Sequence, residues 1–240
     1  LVIAYDSRNH SREFAVEAAA VLTASGIPVK IFKELEPIPV LSFSVRHFHA
    51  LGGIVITASH NPPEYNGYKV YGEDGGQLVP KKADVLTEYV EKVKDLSAID
   101  HRTREDLITW LGEDVVDLFI DTIFKESRYH GNPPPLKVVY TPLHGSGRVP
   151  VEKILGKAGF KDLLIVKEQE MPDGDFPTVS SPNPENEDAL SLGIRLGKEE
   201  GADIVIGTDP DSDRIGAAVR KGSQFTLISG NQMGALLTYF

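Results

Sequence analysis

The chain alternates between short apolar runs and longer stretches in which apolar positions recur every three or four residues. The first pattern predicts buried strands of a parallel sheet, the second amphipathic helices. Residues 1–4 are apolar and are broken by Tyr5-Asp6-Ser7-Arg8-Asn9, which predicts a strand and then a loop. A helix follows, with Ser11 as its N-cap, Phe14, Ala15, Ala18, Ala19 and Leu22 on one apolar face, and Gly26 at its end. Residues 29–32 predict a second strand. Pro37 and Pro39 fit only around a helix start, so the helical pattern of 41–51 comes after them. Residues 53–57 form a third strand and 67–71 a fourth, and Val85, Tyr89, Val90 and Val93 mark a further helix. Residues 97–112 carry little pattern, and 115–124 form a helix able to bridge two bodies.

The theme then repeats beyond a loop at 132–135 that holds three consecutive prolines. Residues 137–140 predict a strand. A helix runs through Val151, Ile154, Leu155 and Ala158 to Gly159, and 163–166 is the next strand. A Pro-rich connection leads to a helix near 185–200, a strand at 202–207 and another at 215–219. The layout is duplicated, the letters are not. The fourth strand of each half follows too closely for a right-handed crossover, so it is expected antiparallel, at an edge. The expectation is two similar three-layer α/β/α domains, residues 1–112 and 113–229, each with a mostly parallel four-stranded mixed sheet. Residues 230–240 begin a helix with Met233, Leu236, Leu237 and Phe240 on one face, read as the first turns of a third unit.

Composition narrows the partners. The chain has 240 residues, 41% of them hydrophobic and 25% charged, as expected of a globular protein with a core. A net charge of −10 argues against nucleic-acid and membrane-surface partners, which want a basic face. An anionic small molecule needs only a local positive patch. No cysteine is present, which rules out disulfides and thiolate metal sites and makes the cytoplasm the expected compartment. No apolar run approaches the roughly 18 residues of a membrane span. The chain starts inside a strand-like run without Met, and that start reads as a cut. No pattern fixes an oligomeric state.

Three loops carry candidate chemistry. Ser59-His60 follows the third strand, where loops at the carboxyl ends of parallel strands bind ligands. Turn chemistry explains Ser, Asn and Pro there equally well. A serine hydrolase is disfavoured, because Thr57 and Asn61 stand where a nucleophile elbow needs glycine. Consecutive side chains also diverge, so Ser59 and His60 are not expected to form a nucleophile–base pair. Asp209, Asp211 and Asp213 alternate in the second loop and can converge on one hard cation, Mg²⁺ or Ca²⁺, or else form a solvated acidic turn. Without a counter-charge they would raise one another's pKa. An EF-hand fails, since Arg214 and Arg220 occupy the places of its Gly and Glu. Arg214 suits a phosphate beside the metal. Set against this loop, Ser59 fits a phosphate carrier. Lys69 lies on the exit strand, where it is either a site residue or simply solvated. Arg8 ends a strand at the same edge and could reach an anion. His144 with Gly145 and Gly147 only weakly resembles a phosphate loop.

With Thr57-Ala-Ser-His-Asn-Pro62 and Asp209-Pro-Asp-Ser-Asp-Arg214 together, the whole chain resembles the α-D-phosphohexomutase superfamily, nearest its bacterial phosphoglucomutase and phosphopentomutase branch. Tyr5-Asp6-Ser7-Arg8, Asn66-Gly67-Tyr68-Lys69 and Thr141-Pro142-Leu143-His144-Gly145 extend the likeness. The resemblance implies four domains around one cleft, with Ser59 the serine that is phosphorylated. It implies Asp209, Asp211 and Asp213 as ligands of one Mg²⁺, completed by an oxygen of phosphorylated Ser59. By the same likeness Asp213, Arg214 and Arg8 face the substrate, while His60 and Lys69 assist proton transfer. Glucose 1,6-bisphosphate would be the intermediate between glucose 1-phosphate and glucose 6-phosphate, with mannose or pentose phosphates as alternatives. Many relatives have Asp-Gly-Asp-Gly-Asp in the acidic loop, and the carboxylates are retained here. The resemblance also implies that the present chain is domain I without its beginning, domain II, and the start of domain III. A chain so cut would bind metal and phosphate without turnover.

Overall fold

A computed structural model describes residues 1–127 and 133–240; Asn132, the start of the expected triple-proline loop, lies outside the described residues. The first half contains β1 (Val2–Tyr5), α1 (Ser11–Ala24), β2 (Val29–Phe32), α2 (Ile38–His47), β3 (Gly52–Ile56), β4 (Tyr68–Gly72), α3 (Pro80–Lys92), β5 (Ile108–Leu111) and α4 (Glu113–Glu126). The second contains β6 (Val138–Thr141), α5 (Arg148–Lys157), β7 (Leu163–Ile165), α6 (Glu187–Glu200), β8 (Ile204–Thr208), β9 (Ile215–Lys221), β10 (Gln224–Ile228) and α7 (Gly230–Tyr239). Two α/β domains result, as the alternating pattern predicts.

Each sheet has five strands rather than the expected four, in the orders β4-β3-β1-β2-β5 and β10-β9-β8-β6-β7. β5 comes from the stretch without pattern and pairs parallel to β2. Only Leu111 of its four residues is buried, so an edge strand this short shows no clear alternation. β10 returns antiparallel along β9. β4 is antiparallel at an edge, as expected, whereas β9 is antiparallel but interior because β10 covers it.

Strand alternation sets the layers. In β1, Val2 and Ala4 enter a core with Val40, Leu41 and Val45 of α2 and Val115, Val116 and Ile120 of α4. Ile3 and Tyr5 point the other way, into a core with Ala15 and Ala19 of α1. Ser11 does not cap α1: its Oγ donates to Asp6 Oδ1 at 2.8 Å, and His10 precedes the helix without a capping side chain. Phe14 is half exposed rather than part of the buried face. In the second sheet Val139, Val205 and Ala218 pack with Leu192 and Leu196 of α6. Ile154 of α5 reaches the α4 side of the first core, so α4 touches both bodies. Among the described residues no helix is long and apolar enough to cross a membrane.

A cavity of about 560 Å³ opens between the two halves, lined by Leu35, Glu36, Val116, Val149 and Met171. Burial pushes the Glu36 carboxyl up to about 8. The unfolded chain loses this proton first, so the stability Glu36 contributes is complete below about pH 4 and lost as pH rises toward 8. In urea unfolding, Glu36→Gln is therefore expected to match the parent at pH 4 and exceed it by roughly 4 kcal/mol at pH 8. A constant difference across that range would contradict the assignment. Leu41 is fully buried. Leu41→Ala should lower the unfolding free energy by about 3 kcal/mol, and a loss below about 1 kcal/mol would mean the α2 layer is not packed as described.

Candidate functional site

The carboxyl ends of the two sets of parallel strands face each other. Ser59 follows β3 and the acidic loop follows β8, and the two loops meet although 150 residues separate Ser59 from Asp209. Ser59 Oγ donates to Asp209 Oδ2 at 2.9 Å. Thr57 Oγ1 shares its proton between Asp6 Oδ2 at 2.6 Å and Asp211 Oδ2 at 3.0 Å, and accepts from the Ser59 amide at 2.9 Å. Lys69, placed opposite Val55 by the β3–β4 register, sets its Nζ 3.0 Å from Asp211 Oδ2 and 3.9 Å from Asp213 Oδ2. The α2 start joins in, since the Ile38 amide donates to the Asp211 carbonyl at 2.9 Å.

One expectation is overturned here. Ser59 has φ 55°, a left-handed conformation that L-residues adopt at a cost of about 1 kcal/mol. That twist brings Ser59 Oγ within 3.3 Å of His60 Nδ1, although the two residues are neighbours in sequence. Burial and the nearby Arg214 lower the His60 pKa, which favours the neutral ring at pH 7. A neutral ring can accept a proton from a hydroxyl close by.

Oxygens of Asp209, Asp211 and Asp213 lie within 4.8 Å of one another. Asp209 and Asp211 are fully buried, and Asp213 is exposed at the mouth. Burial, reinforced by Asp211, pushes the Asp209 carboxyl up to about 8. The same two causes raise Asp213. Asp211 Oδ1 is buried without a hydrogen-bond partner. An unpartnered carboxylate oxygen beside two crowded carboxylates fits a hard divalent cation, which neutralises such a set with oxygen ligands alone. Ser59 Oγ stands at the same set of oxygens.

Arg214 and Arg8 part company. The Arg214 amide donates to Asp209 Oδ1 at 3.0 Å, and its exposed side chain has no ion-pair partner among the described residues, so it is free to meet an anion. Arg8 is 3% exposed and turned inward to the carbonyls of the Ser59 loop, which corrects its expected role as a substrate contact. His144 is also structural: Nδ1 meets the Met171 carbonyl and Nε2 meets Thr178 Oγ1. The residues that composition did not single out are Asp6 and Thr57. Asp6 accepts from the Arg8 amide two residues on, an Asx-turn pattern that Asp6-Ser7-Arg8 could have suggested. A segment of the second domain braces this region. Asn9 Nδ2 donates to Asp175 Oδ1 at 2.7 Å and Ser181 Oγ to the His60 carbonyl at 3.1 Å. Gly174 lies where any Cβ would collide with Asn9.

In this paired α/β architecture the serine loop and the three-carboxylate loop face each other at one shared site. The chain belongs to the phosphoglucomutase/phosphomannomutase family: residues 1–97 match its alpha/beta/alpha domain I and residues 117–222 its alpha/beta/alpha domain II. Phosphoglucomutase from Staphylococcus aureus (strain USA300) is 39% identical over 241 residues, covering 99% of this chain and 44% of that protein. Phosphoglucomutase from Staphylococcus saprophyticus is 37% identical over 246 residues, covering 99% of this chain and 44% of the relative. A Haemophilus influenzae protein named "Probable phosphomannomutase" is 36% identical over 247 residues, covering all of this chain and 50% of its own length. The chain thus spans about half the length of the curated relatives it matches. Among solved structures, a phosphoglucomutase/phosphomannomutase family protein from Burkholderia thailandensis shares the fold, with a TM-score of 0.72 and 24% identity over 95% of this chain and 47% of that one.

Asp211→Asn tests the metal assignment. Calorimetric titration with Mg²⁺ is expected to give an affinity at least about 100-fold weaker than the parent's, more than loss of an outer-shell partner usually costs. The variant should fold at least as stably, since it removes one of the crowded charges. Equal Mg²⁺ affinity in the two proteins would place the cation elsewhere.

Proposed function

We propose that this protein is a phosphosugar mutase that interconverts glucose 1-phosphate and glucose 6-phosphate through phosphorylated Ser59. The observation that carries the reading is the contact of Ser59 Oγ with Asp209 at 2.9 Å, inside the three-carboxylate set. Family membership and the two Staphylococcus phosphoglucomutases support the sugar assignment.

In the proposed cycle the phosphoryl group on Ser59 passes to the free hydroxyl of the bound monophosphate. The Ser59 Oγ–P bond breaks as the sugar O–P bond forms, leaving glucose 1,6-bisphosphate and a free serine. The bisphosphate turns in the cleft and returns its other phosphoryl group to Ser59. Asp209, Asp211 and Asp213, with an oxygen of the phosphorylated serine, would hold Mg²⁺, which neutralises charge on the phosphoryl oxygens. Arg214 meets the anionic group at the mouth. A sugar hydroxyl must give up a proton as it attacks. His60, whose neutral form is favoured, can receive it, and Lys69, an ammonium at Asp211, can supply the proton that the departing serine oxygen takes up.

The name of the Haemophilus relative favours a second reading in which mannose phosphates are the substrate. Because the chain spans about half of such relatives, turnover is proposed for a protein of full relative length. For this chain by itself, metal and phosphate binding without turnover is the expected behaviour. The test is Ser59→Ala in the full-length protein, with conversion of glucose 1-phosphate followed by product analysis. A fall of about 10⁴-fold or more in kcat is expected. Full turnover in the variant would refute the relay, and inorganic phosphate as the main product would replace the mutase with a phosphatase.

A further inference from the structure

Arg8 is the most enclosed cation near the site, and it takes no part in the chemistry above. Its Nη1 donates to the carbonyls of Pro62 and Tyr65, both at 2.8 Å. Its Nη2 donates to the carbonyl of Ser59 at 2.7 Å and to that of Asn61. Nε faces Asp6 Oδ2 at 3.5 Å, with both side chains inaccessible to solvent. A guanidinium has five N–H groups, and here four go to one loop while the fifth faces a carboxylate. Nε makes no hydrogen bond but is buried against Asp6, so no donor faces a ligand in the cleft.

The loop is therefore wrapped around a fixed charge. Four carbonyl oxygens from residues 59–65 converge on one plane, an arrangement whose dipoles repel unless a cation sits at the centre. The first of the four belongs to Ser59, the residue held at φ 55°. The ring of Phe176, in the second domain, has its centroid 5.0 Å from the guanidinium carbon, at cation–π distance. Phe176 is itself buried and left-handed, with φ 47°. The grip on the loop thus has one wall in each domain.

We propose that Arg8 is a positioning residue for Ser59: clamped between Asp6 and Phe176, it holds the loop carbonyls so that Ser59 Oγ faces Asp209. The catalytic part of this proposal rests on Ser59 being the phosphate carrier. The requirement is for a planar fork. Lysine keeps the charge but offers three donors from one nitrogen, so it holds the loop only in part.

The experiment uses the full-length protein with Arg8→Met, Arg8→Lys and Phe176→Leu. Two quantities are measured: amide hydrogen exchange across 58–66, and the rate of phosphoryl transfer from glucose 1,6-bisphosphate to Ser59, followed by mass. The amides of Ser59, Asn61 and Tyr65 are bonded within the loop, so their exchange reports its shape whatever the chemistry. Arg8→Met is expected to speed their exchange by about tenfold or more, with sheet amides unchanged. It should slow transfer about 100-fold, the usual cost of a misplacement near 1 Å, with KM for glucose 1-phosphate within about threefold of the parent. Arg8→Lys should recover about tenfold of that loss, and Phe176→Leu should fall between the parent and Arg8→Met. If Arg8→Met fails to fold, the other two variants carry both readouts. Unchanged loop exchange in the variants overturns the proposal, as does a large rise in KM with kcat retained, which would make Arg8 a substrate contact. If the parent takes no phosphoryl group while the loop still responds, the mutase reading fails and the positioning of the loop stands.

Discussion

Two carboxylates without solvent exposure, Asp209 and Asp211, lie beside a third where two domains meet, and the repulsion among them is the constraint to which the rest of the site answers. Leaving water is costly for each of them, and their closeness adds to it. Apart from the Arg214 amide, the groups that offset this cost come from the other domain. Lys69 brings a positive charge, Thr57 and Ser59 bring hydroxyl donors, and Ile38 fixes the loop backbone. Neither half completes the arrangement alone. Docking of the two domains and assembly of the site are one event, and a divalent cation would complete the neutralisation begun by Lys69.

That dependence explains why both loops carry strain. Ser59 and Ser212 are left-handed residues that are not glycine, one in each loop. Each such residue costs on the order of 1–3 kcal/mol and persists only where its surroundings over-determine it. Around Ser59 the surroundings are the Arg8 clamp, the Thr57 hydroxyl and the bracing segment through Gly174, Asp175 and Ser181. The return is orientation: the twist turns Ser59 Oγ toward Asp209 and His60 together. Rigid placement of this kind is what phosphoryl transfer needs most, since the protein supplies position and charge rather than covalent chemistry.

The parts of this picture legible in the sequence are those set by local pattern. Buried strands such as 53–57 stood out because both their faces are covered, and the loops leaving them held residues whose chemistry is specific. The alternation of Asp209, Asp211 and Asp213 is compatible with a cation from residue types alone, although a solvated acidic turn carries the same letters. Edge strands were harder: β5 has three of its four residues at least partly exposed, and nothing in such a segment obliges an alternating pattern. The contacts that cross between domains were invisible, because no local rule pairs Thr57 with Asp211 or Arg8 with Phe176. The inward turn of Arg8 and the closeness of His60 to Ser59 are invisible for the same reason. A basic residue after a strand looks like an anion contact until a neighbouring loop closes over it.

The central claim is that Ser59 and the three aspartates share one cation. Replacing Mg²⁺ by Mn²⁺ in the phosphorylated full-length protein makes that directly observable, because electron–nuclear double resonance reports the hyperfine coupling between the metal and the phosphorus on Ser59. A strong coupling, as for a phosphate bound directly to the metal and lost in Asp211→Asn, is the predicted result. Tightly bound Mn²⁺ with no phosphorus coupling would contradict the account.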